Sequence, residues 1–285
     1  MKVDLHMHSN VSDGTDSPAE ILGKVKTAGL EIFSLTDHDA IKGCLAIRRI
    51  LQDGDPVFIP GVEFSCRDEL GKYHILGYGY NVESGAMPEF VESSHNVRME
   101  KLEARLEYLK TDLGIVFPEE EYEQLYSLDN PGKPHIANLM VKYGYAETKE
   151  QAFSDVLNHL PVLTAYIRPE QAIEAILEGG GIPILAHPSY GDGDQLVLGK
   201  EMEERICRLM EFGLKGLEAF YSGFTPQIRN EILDFADRFD MFVSAGSDYH
   251  GANKMIDLGD TGLDEVESIP PRLEAFLSEL SKSGY

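Results

Sequence analysis

Two histidines one residue apart, near the start of the chain, are its first residues able to do metal chemistry. They lie in the apolar run from Val3 to His8 as His6-Met7-His8. If this run is a strand, residues i and i+2 point to the same face, so His6 and His8 can bind one ion. A His-x-His pair also occurs by chance on a solvated strand or in an expression tag. The pair therefore indicates a metal site only if other ligands converge on it.

Seven further imidazoles and carboxylates fall at, within or just beyond strands that the sequence predicts. In chain order they are Asp13, His38, Glu63, His74, His187, Asp248 and His250. The active sites of α/β proteins form at the carboxyl ends of the strands. Six of the nine histidines are thus expected on one rim together with three acids. Residues placed independently of one another would be scattered instead.

Each of these residues also has a purely structural interpretation. Asp13 could be a turn residue, Glu63 an exposed carboxylate and His74 a strand histidine that faces solvent. Asp37 and Asp39, on either side of His38, could cap the helix that follows. It is the convergence of all nine on one rim that favours a functional interpretation.

Nine ligands exceed the needs of one ion, which takes about four to six, so we expect two to three divalent ions. Imidazole and carboxylate without thiolate fit Zn, Mn or Fe, whereas Mg prefers more oxygen. Glu63 can bridge two ions, and the ions can share a hydroxide. The residues therefore predict a metal-dependent hydrolase.

Composition limits the other possibilities. Lys and Arg number 25 against 49 Asp and Glu, a net charge of -24, which repels polyanions and argues against long nucleic acid as a partner. Bound cations must then supply the positive charge for an anionic substrate. Three cysteines without paired spacing indicate reduced thiols. We find no apolar run of about 18 residues and no signal peptide, so we expect no membrane span and a cytoplasmic location.

Strands alternate with helices along most of the chain, which predicts an α/β fold with a parallel sheet, open or closed into a barrel. Ser17, Pro18 and Glu20 form a helix start with a capping box, and Gly29 ends that helix. A turn over residues 68–72 suggests a hairpin. The strands are predicted over residues 2–8, 32–35, 57–64, 73–78, 182–186, 216–221 and 242–245.

The segment 88–167 differs, because it is helical and charged and is interrupted by a Pro- and Gly-rich stretch over residues 130–134. We interpret it as a helical insertion subdomain. The barrel domain would then comprise residues 1–87 and 168–285.

Five segments, in chain order, resemble the motifs of the PHP (polymerase and histidinol phosphatase) family of metal-dependent phosphoesterases. They are His6-Met7-His8 with Ser12-Asp13-Gly14, Thr36-Asp37-His38-Asp39, Pro60-Gly61-Val62-Glu63, Ala186-His187-Pro188 and Ser247-Asp248-Tyr249-His250. The resemblance implies a distorted (β/α)7, TIM-like barrel with the metal centre at the carboxyl ends of the strands.

The resemblance also implies which residues bind each ion. One ion would take His6, His8, Glu63 and Asp248, a second Asp13, His38 and His250, and a third Glu63, His74 and His187. The residues expected to act in catalysis are Asp13, His38, Glu63, Asp248 and His250. Some relatives carry histidine where this chain has Asp13, and an oxygen ligand there leaves the second metal open, with a shift toward Mn or Fe.

The helical insertion after the fourth strand resembles the stand-alone branch of the family, which acts on nucleoside 3',5'-bisphosphates and, in some members, trims short RNA from the 5' end. That resemblance implies that Arg98 and His135 bind substrate phosphate. Arg98 could instead be a solvated helix residue that pairs with glutamates, like Lys101 and Arg105 on the same face. His135 could instead cap a helix over residues 136–143. Relatives can carry a second arginine just before the position of Arg98, where this chain has His95.

The resemblance therefore implies hydrolysis of a small nucleotide phosphomonoester, most directly a 3'-phosphate, through attack by a metal-bridging hydroxide. Short oligoribonucleotides are a further expected substrate, with an AMP-like product. Three alternatives stay open: a histidinol-phosphatase-like small phosphomonoesterase, an amidohydrolase and a non-catalytic metal-binding module. No lysine lies at a predicted strand end, which disfavours the amidohydrolase.

Overall fold

Seven strands form one sheet in chain order in the computed structural model, which describes residues 1–83, 85–161, 166–192 and 195–282. The strands are β1 (Val3–Asp4), β2 (Ile32–Leu35), β3 (Val57–Asp68), β4 (Gly71–Tyr78), β5 (Ile182–Leu185), β6 (Gly216–Tyr221) and β7 (Phe242–Gly246). Just after β1, the amide of Leu5 donates to Ala245 O of β7 at 2.9 Å. The sheet therefore nearly closes into a barrel, and the predicted α/β barrel class is confirmed.

Helices account for most of the remaining described residues. They are α1 (Pro18–Ala28), α2 (Lys42–Ile50), α3 (Ala86–Thr111), α4 (Glu119–Ser127), α5 (Lys133–Lys142), α6 (Lys149–Asp155), α7 (Pro169–Glu178), α8 (Gly199–Glu211), α9 (Pro226–Arg238) and α10 (Pro271–Lys282). The capping box of α1 is confirmed, because the Ser17 amide donates to the Glu20 carboxylate at 2.8 Å and the Glu20 amide donates to Ser17 Oγ at 3.3 Å. Within the described residues, none of these helices has the length and apolar character needed to cross a membrane.

The sheet is mixed, whereas the sequence predicted a parallel one. Strand β4 runs antiparallel to both β3 and β5, and the other neighbouring pairs are parallel. The physical reason is the predicted hairpin, which is confirmed: Asp68 pairs with Gly71, and so short a connection joins only antiparallel strands. Gly71 has φ +127°, a conformation that favours glycine.

The hairpin also changes the position of Glu63 within its strand. Glu63 was expected to close the third strand, but β3 continues five residues further, to Asp68, because β4 supplies hydrogen-bond partners along that length. Glu63 is paired with Leu76. Its side chain therefore projects from the middle of a strand, where the backbone is fixed on one side by β4.

The first strand is shorter than the predicted range 2–8. Regular pairing with β2 covers only Val3 and Asp4, and the residues that follow bond to side chains and to the segment after β7. The His6 amide donates to Asp4 Oδ1 at 3.2 Å, and the His8 amide donates to Tyr249 O at 2.8 Å. The extended segment that brings His6 and His8 to one site is thus held mainly by hydrogen bonds to side chains and to other segments, rather than by strand pairing with β2.

The segment between β4 and α7 contains α3 to α6 and has its own apolar cluster. Helix α3 connects this cluster with the barrel, because Met87 packs in the main core while Leu102, Leu106 and Leu109 pack in the second cluster. Ile136 of α5 completes that packing. The division of the chain at residues 88 and 167 stays a prediction, and residues 162–165 of the predicted insertion lie outside the described residues.

Candidate metal centre

Glu63 lies at the centre of the nine residues selected from the sequence. Its side chain is 1% exposed, and both carboxylate oxygens face histidine nitrogens from other elements. Oε2 lies 3.1 Å from His8 Nε2 and 3.1 Å from His38 Nδ1. Oε1 lies 2.7 Å from His74 Nδ1 and 3.2 Å from His187 Nε2. A carboxylate so placed has the geometry of a ligand shared between neighbouring ions.

Three groups of side chains among the described residues are close enough to hold an ion. They are His6, His8 and Asp248; His8, Asp13, His38 and His250; and His38, Glu63 and His74. The ligand atoms of each group lie within 4.8 Å of one another. The grouping differs from the expected sets in that His8 and His38 each belong to two groups, His187 belongs to none, and Glu63, expected in two sets, belongs to one. The assignment of particular residues to particular ions therefore stays a prediction.

Several buried histidine nitrogens of this centre have no hydrogen-bond partner. These atoms are His6 Nε2, His8 Nε2, His38 Nδ1, His74 Nε2 and His187 Nδ1. A buried polar atom without a partner costs free energy, and a metal ion satisfies an imidazole nitrogen by accepting its lone pair. The donor set of imidazoles and carboxylates without thiolate fits Zn, Mn or Fe. The residues present therefore fit divalent metal ions.

The segment after β7 brings two more ligands to the centre. Asp248 has φ +58°, a left-handed backbone conformation uncommon for a residue with a side chain. Tyr221 OH donates to Asp248 Oδ2 at 2.8 Å, and the Lys254 ammonium forms an ion pair with the same oxygen. The ring of His250 places Nδ1 2.8 Å from Asp248 O, and its Nε2 lies 3.2 Å from Asp13 Oδ1. If Nδ1 donates to that carbonyl, Nε2 is free to act as a ligand.

A buried glutamate that sequence reasoning missed supports two of the histidines. Glu218 of β6 is 0% exposed, and its Oε1 lies 2.9 Å from His6 Nδ1. Its Oε2 accepts a hydrogen bond from the His187 amide at 2.9 Å. His187 has φ +29°, so Glu218 holds a ligand whose backbone is in a left-handed conformation. A single acid within the otherwise apolar run Gly216–Tyr221 is the signal that could have identified it.

Two other buried acids position the chain around the ligands. Asp4 accepts hydrogen bonds from the Ser247 amide at 2.9 Å and the Ser247 hydroxyl at 2.6 Å. Asp37 accepts from the Ser9 amide at 2.7 Å and from Ser12 Oγ at 2.8 Å. The helix-capping interpretation of Asp37 is therefore wrong, because α2 begins without a side-chain cap. Both carboxylates hold the loops that carry Asp13 and Asp248.

Electrostatics prepare these groups to act as ligands. Burial alone would raise the pKa of Glu63, but His74, His38 and His6 bring that pKa well below its ordinary value. Burial, together with the charge of Lys72, lowers the pKa of His74 to about 3. At neutral pH Glu63 is thus ionised and His74 neutral, which are the ligating forms of both groups.

Arg98 and His135, the expected phosphate-binding residues, have protein partners. The Arg98 guanidinium pairs with the Asp39 carboxylate and donates to Ser65 Oγ at 3.1 Å. The alternative, in which Arg98 pairs with glutamates of its own helix, is not observed, because its ion pair among the described residues is with Asp39. His135 Nδ1 accepts from the Gly132 amide at 3.1 Å, so His135 caps α5, which begins at Lys133 rather than at residue 136. Their roles toward substrate stay predictions.

Five cations form a basic cluster beside the metal centre. They are Lys72 of β4, Arg98, Lys101 and Arg105 of α3, and Lys133 of α5. Lys101 is 8% exposed and its Nζ lies 4.0 Å from the centre of the Tyr166 ring. Burial, with the charges of Arg105 and Lys72, lowers the pKa of Lys133 to about 8. The pKa of Lys101 is also lowered to about 8, by burial and by its arginine neighbours.

A cavity of about 230 Å³ lies over the metal centre and is lined by one member of this cluster, Lys72. Its lining also includes Glu63, His74 and His187 of the centre, and Lys254. An anion bound over Glu63 can therefore reach the side chain of Lys72.

Comparisons with known proteins agree with this geometry. The PHP domain family matches residues 4–178. A 5'-3' exoribonuclease from Haemophilus influenzae is 30% identical, over 96% of this chain and 99% of that protein. A 3',5'-nucleoside bisphosphate phosphatase from Chromobacterium violaceum is 26% identical, over 98% of this chain and 96% of that protein.

The fold is similar to that of a solved structure as well. A protein described as a metal-dependent phosphoesterase from Bifidobacterium adolescentis superimposes with a TM-score of 0.82 and 25% identity. The superposition covers 99% of this chain and 96% of that one.

Proposed function

This chain belongs to the PHP domain family, and we propose that, within it, the protein removes the 3'-phosphate from nucleoside 3',5'-bisphosphates. It is a metal-dependent phosphoesterase, a hydrolase acting on phosphoester bonds. The identity of its substrate is what we propose here. A phosphatase and an exoribonuclease among its relatives act on nucleotides by name, which supports a nucleotide substrate.

The observation that carries the proposal is the basic cluster at the edge of the metal centre. In a chain of net charge -24, five cations lie near one another beside the metal centre, and one of them, Lys72, lines the cavity above Glu63. Arg98 pairs with Asp39, but the other four cations of the cluster form no ion pair among the described residues, and like charges brought together destabilise each other unless an anion neutralises them. A substrate with two phosphates satisfies both features, since one phosphate lies at the metal centre and the other among the cations.

The nine residues of the rim would hold the ions: His6, His8, Asp13, His38, Glu63, His74, His187, Asp248 and His250. When bound, the ions supply a nucleophile from water near neutral pH and neutralise charge on the phosphate oxygens. Tyr221 and Lys254 fix the Asp248 carboxylate, and Glu218 fixes the ring of His6. We assign catalysis to Asp13, His38, Glu63, Asp248 and His250, and phosphate contacts to Arg98 with the rest of the basic cluster.

We extend the proposal to short oligoribonucleotides, shortened from the 5' end. The cavity is open to solvent on one side, so a nucleotide that continues into a short chain can still place one phosphate at the metal centre. The acidic surface repels long nucleic acid, which limits the proposal to short chains.

A substrate panel with added Mn²⁺ tests this proposal. It compares adenosine 3',5'-bisphosphate with adenosine monophosphates, a short RNA and histidinol phosphate, by release of phosphate or nucleotide. We expect the highest kcat/KM for the bisphosphate. Phosphate release from histidinol phosphate alone would contradict the nucleotide substrate and favour the small-phosphomonoester alternative.

A further inference from the structure

We propose that a second cavity, of about 600 Å³, binds the nucleoside part of the substrate, an inference that rests on the proposed function. The cavity lies between helices α5 and α6 on one side and the segments after β1 and β7 on the other. Its lining includes Asp13, Lys149, Phe153, Asn158, Asn253 and Lys254. Its volume lies in the range typical of small-molecule sites, about 300–1,000 Å³.

The second cavity adjoins the metal centre. Asp13 and His250, both expected metal ligands, form part of its wall. His250 and Lys254 line this cavity and the one above Glu63 as well. A ligand whose phosphate lies at the metal centre can therefore extend past Lys254 into the second cavity.

The side chains in the wall match the chemistry of a nucleoside. Phe153 is half-buried and offers a ring against which a base can stack. The amides of Asn158 and Asn253 combine donors and acceptors, as do the edges of bases and the hydroxyls of ribose. Lys149 keeps donors for a ribose oxygen, because an ammonium has three protons and Lys149 makes one hydrogen bond among the described residues.

Hydrogen bonds hold this wall in place relative to the metal ligands. Lys149 Nζ donates to Asn253 Oδ1 at 2.6 Å, and Asn253 Nδ2 donates to Asp13 O at 2.7 Å. This chain of contacts joins α6 to the segment that carries a ligand. A site whose polar groups are already fixed loses little entropy when it binds.

The charge of the wall favours the uncharged part of the substrate. Lys149 and Lys254 are offset by Asp13 and Glu150, so the second cavity carries cations and acids in equal number. The basic cluster, in contrast, gathers cations on the side of Lys72. The second phosphate is therefore expected at the basic cluster and the base in the second cavity, with the ribose, which joins them, beside the metal centre.

Two substitutions and two substrates test the inference. Lys149→Met removes the ammonium, and Phe153→Leu removes the ring while retaining most of the volume that packs against the second apolar cluster. The substrates are adenosine 3',5'-bisphosphate and phenyl phosphate, which has no nucleoside. We expect the ratio of kcat/KM for the bisphosphate to that for phenyl phosphate to fall about tenfold in each variant, the effect of one lost stacking or charged contact. Lys142→Met, in α5 and outside the cavity, is the matched control and should keep the ratio.

The outcomes separate this inference from the function on which it rests. If the unsubstituted protein hydrolyses the bisphosphate and both variants keep its ratio, the second cavity does not bind the nucleoside. If the unsubstituted protein hydrolyses phenyl phosphate but not the bisphosphate, the proposed function fails, and the inference fails with it.

Discussion

At the scale of single residues, the candidate metal centre consists of buried polar side chains, and burying them costs free energy. Histidines and acids with little exposure face each other around Glu63, and five imidazole nitrogens make no hydrogen bond, three of them although they lie 3.1 to 3.3 Å from Glu63 Oε2. Burying polar atoms that make no hydrogen bond is unfavourable, and an ion bound to them would offset that cost. Divalent ions fit both the geometry and the donor types.

Glu218 provides the sharpest test of how the ligands are oriented. In Glu218→Gln only one oxygen is left to accept hydrogen bonds, so either His6 Nδ1 or the His187 amide loses its acceptor. We expect metal affinity to fall about 10- to 100-fold, the usual effect of losing a group that orients a ligand. The measurement is metal content per chain after dialysis against graded Mn²⁺ or Zn²⁺.

The control for this experiment is Glu204→Gln, since Glu204 is exposed on α8. It should keep the affinity of the unsubstituted protein. Equal metal content in Glu218→Gln and Glu204→Gln would show that Glu218 does not orient the ligands.

The candidate ligand residues could be selected from the sequence, and the side chains that support them could not. His6, His8 and Glu63 were identifiable from residue type and from their positions in predicted strands. Glu218 is recognisable as a single acid in an apolar strand, but its contact with His6, across 212 residues of sequence, depends on packing that the strand does not specify. Arg98 and Asp39 likewise meet only because α3 lies against the centre, so their ion pair was not predictable from local pattern.

At the scale of elements, the hairpin of β3 and β4 determines the shape of the centre. It places Glu63 in mid-strand and brings Lys72 and His74 from β4 to its side. The sequence predicted the turn itself, because turn residues separate two apolar runs. It did not predict that β3 would extend to Asp68, since the added pairing depends on β4 rather than on apolar residues within β3.

Helix α3 connects the second apolar cluster with the basic cluster. We expect Leu109→Ala to destabilise the protein by about 2–5 kcal/mol, because Leu109 is fully buried. Loosening α3 should also raise KM for adenosine 3',5'-bisphosphate more than KM for phenyl phosphate. Thermal unfolding and steady-state kinetics measure the two effects.

Leu113→Ala is the comparison for that variant, because Leu113 is 47% exposed just beyond the end of α3. It should leave both stability and the two KM values close to those of the unsubstituted protein. If Leu109→Ala lowers stability but changes both KM values equally, α3 does not position the basic cluster that is proposed to bind the second phosphate.

The basic cluster also predicts a pH dependence of binding. Lys101 and Lys133 have pKa values of about 8, because burial and neighbouring cations disfavour their charged forms. Their charge, and with it the attraction for a phosphate, is therefore present below that pKa and is lost as pH rises through it. KM for adenosine 3',5'-bisphosphate should rise between about pH 7 and pH 9, relative to KM for adenosine 3'-monophosphate. A constant ratio of the two KM values over this range would contradict a role for these lysines.

At the scale of the whole molecule, a nearly closed barrel carries the candidate metal centre and a helical segment packs beside it, in a strongly acidic protein. The alternation of strands and helices predicted an α/β sheet, open or closed, because each unit needs a neighbour on which to bury its apolar face, and the resemblance to the PHP family implied the barrel. The meeting of α3 and α5 with the centre was not derivable from the residues, since it depends on packing between segments far apart in sequence. The net charge of -24 then makes the cavity, with its cations and its metal ligands, the favoured place for a small anion.

The most direct test of the account identifies which phosphate is removed and whether the centre removes it. Adenosine 3',5'-bisphosphate is incubated with Mn²⁺-loaded protein, with metal-stripped protein and with Glu63→Ala, and the nucleotide products are separated by chromatography. The account predicts adenosine 5'-monophosphate and phosphate from the loaded protein alone, with little metal bound by Glu63→Ala. Adenosine 3'-monophosphate as the product, or undiminished turnover by the stripped protein or by Glu63→Ala, would contradict it.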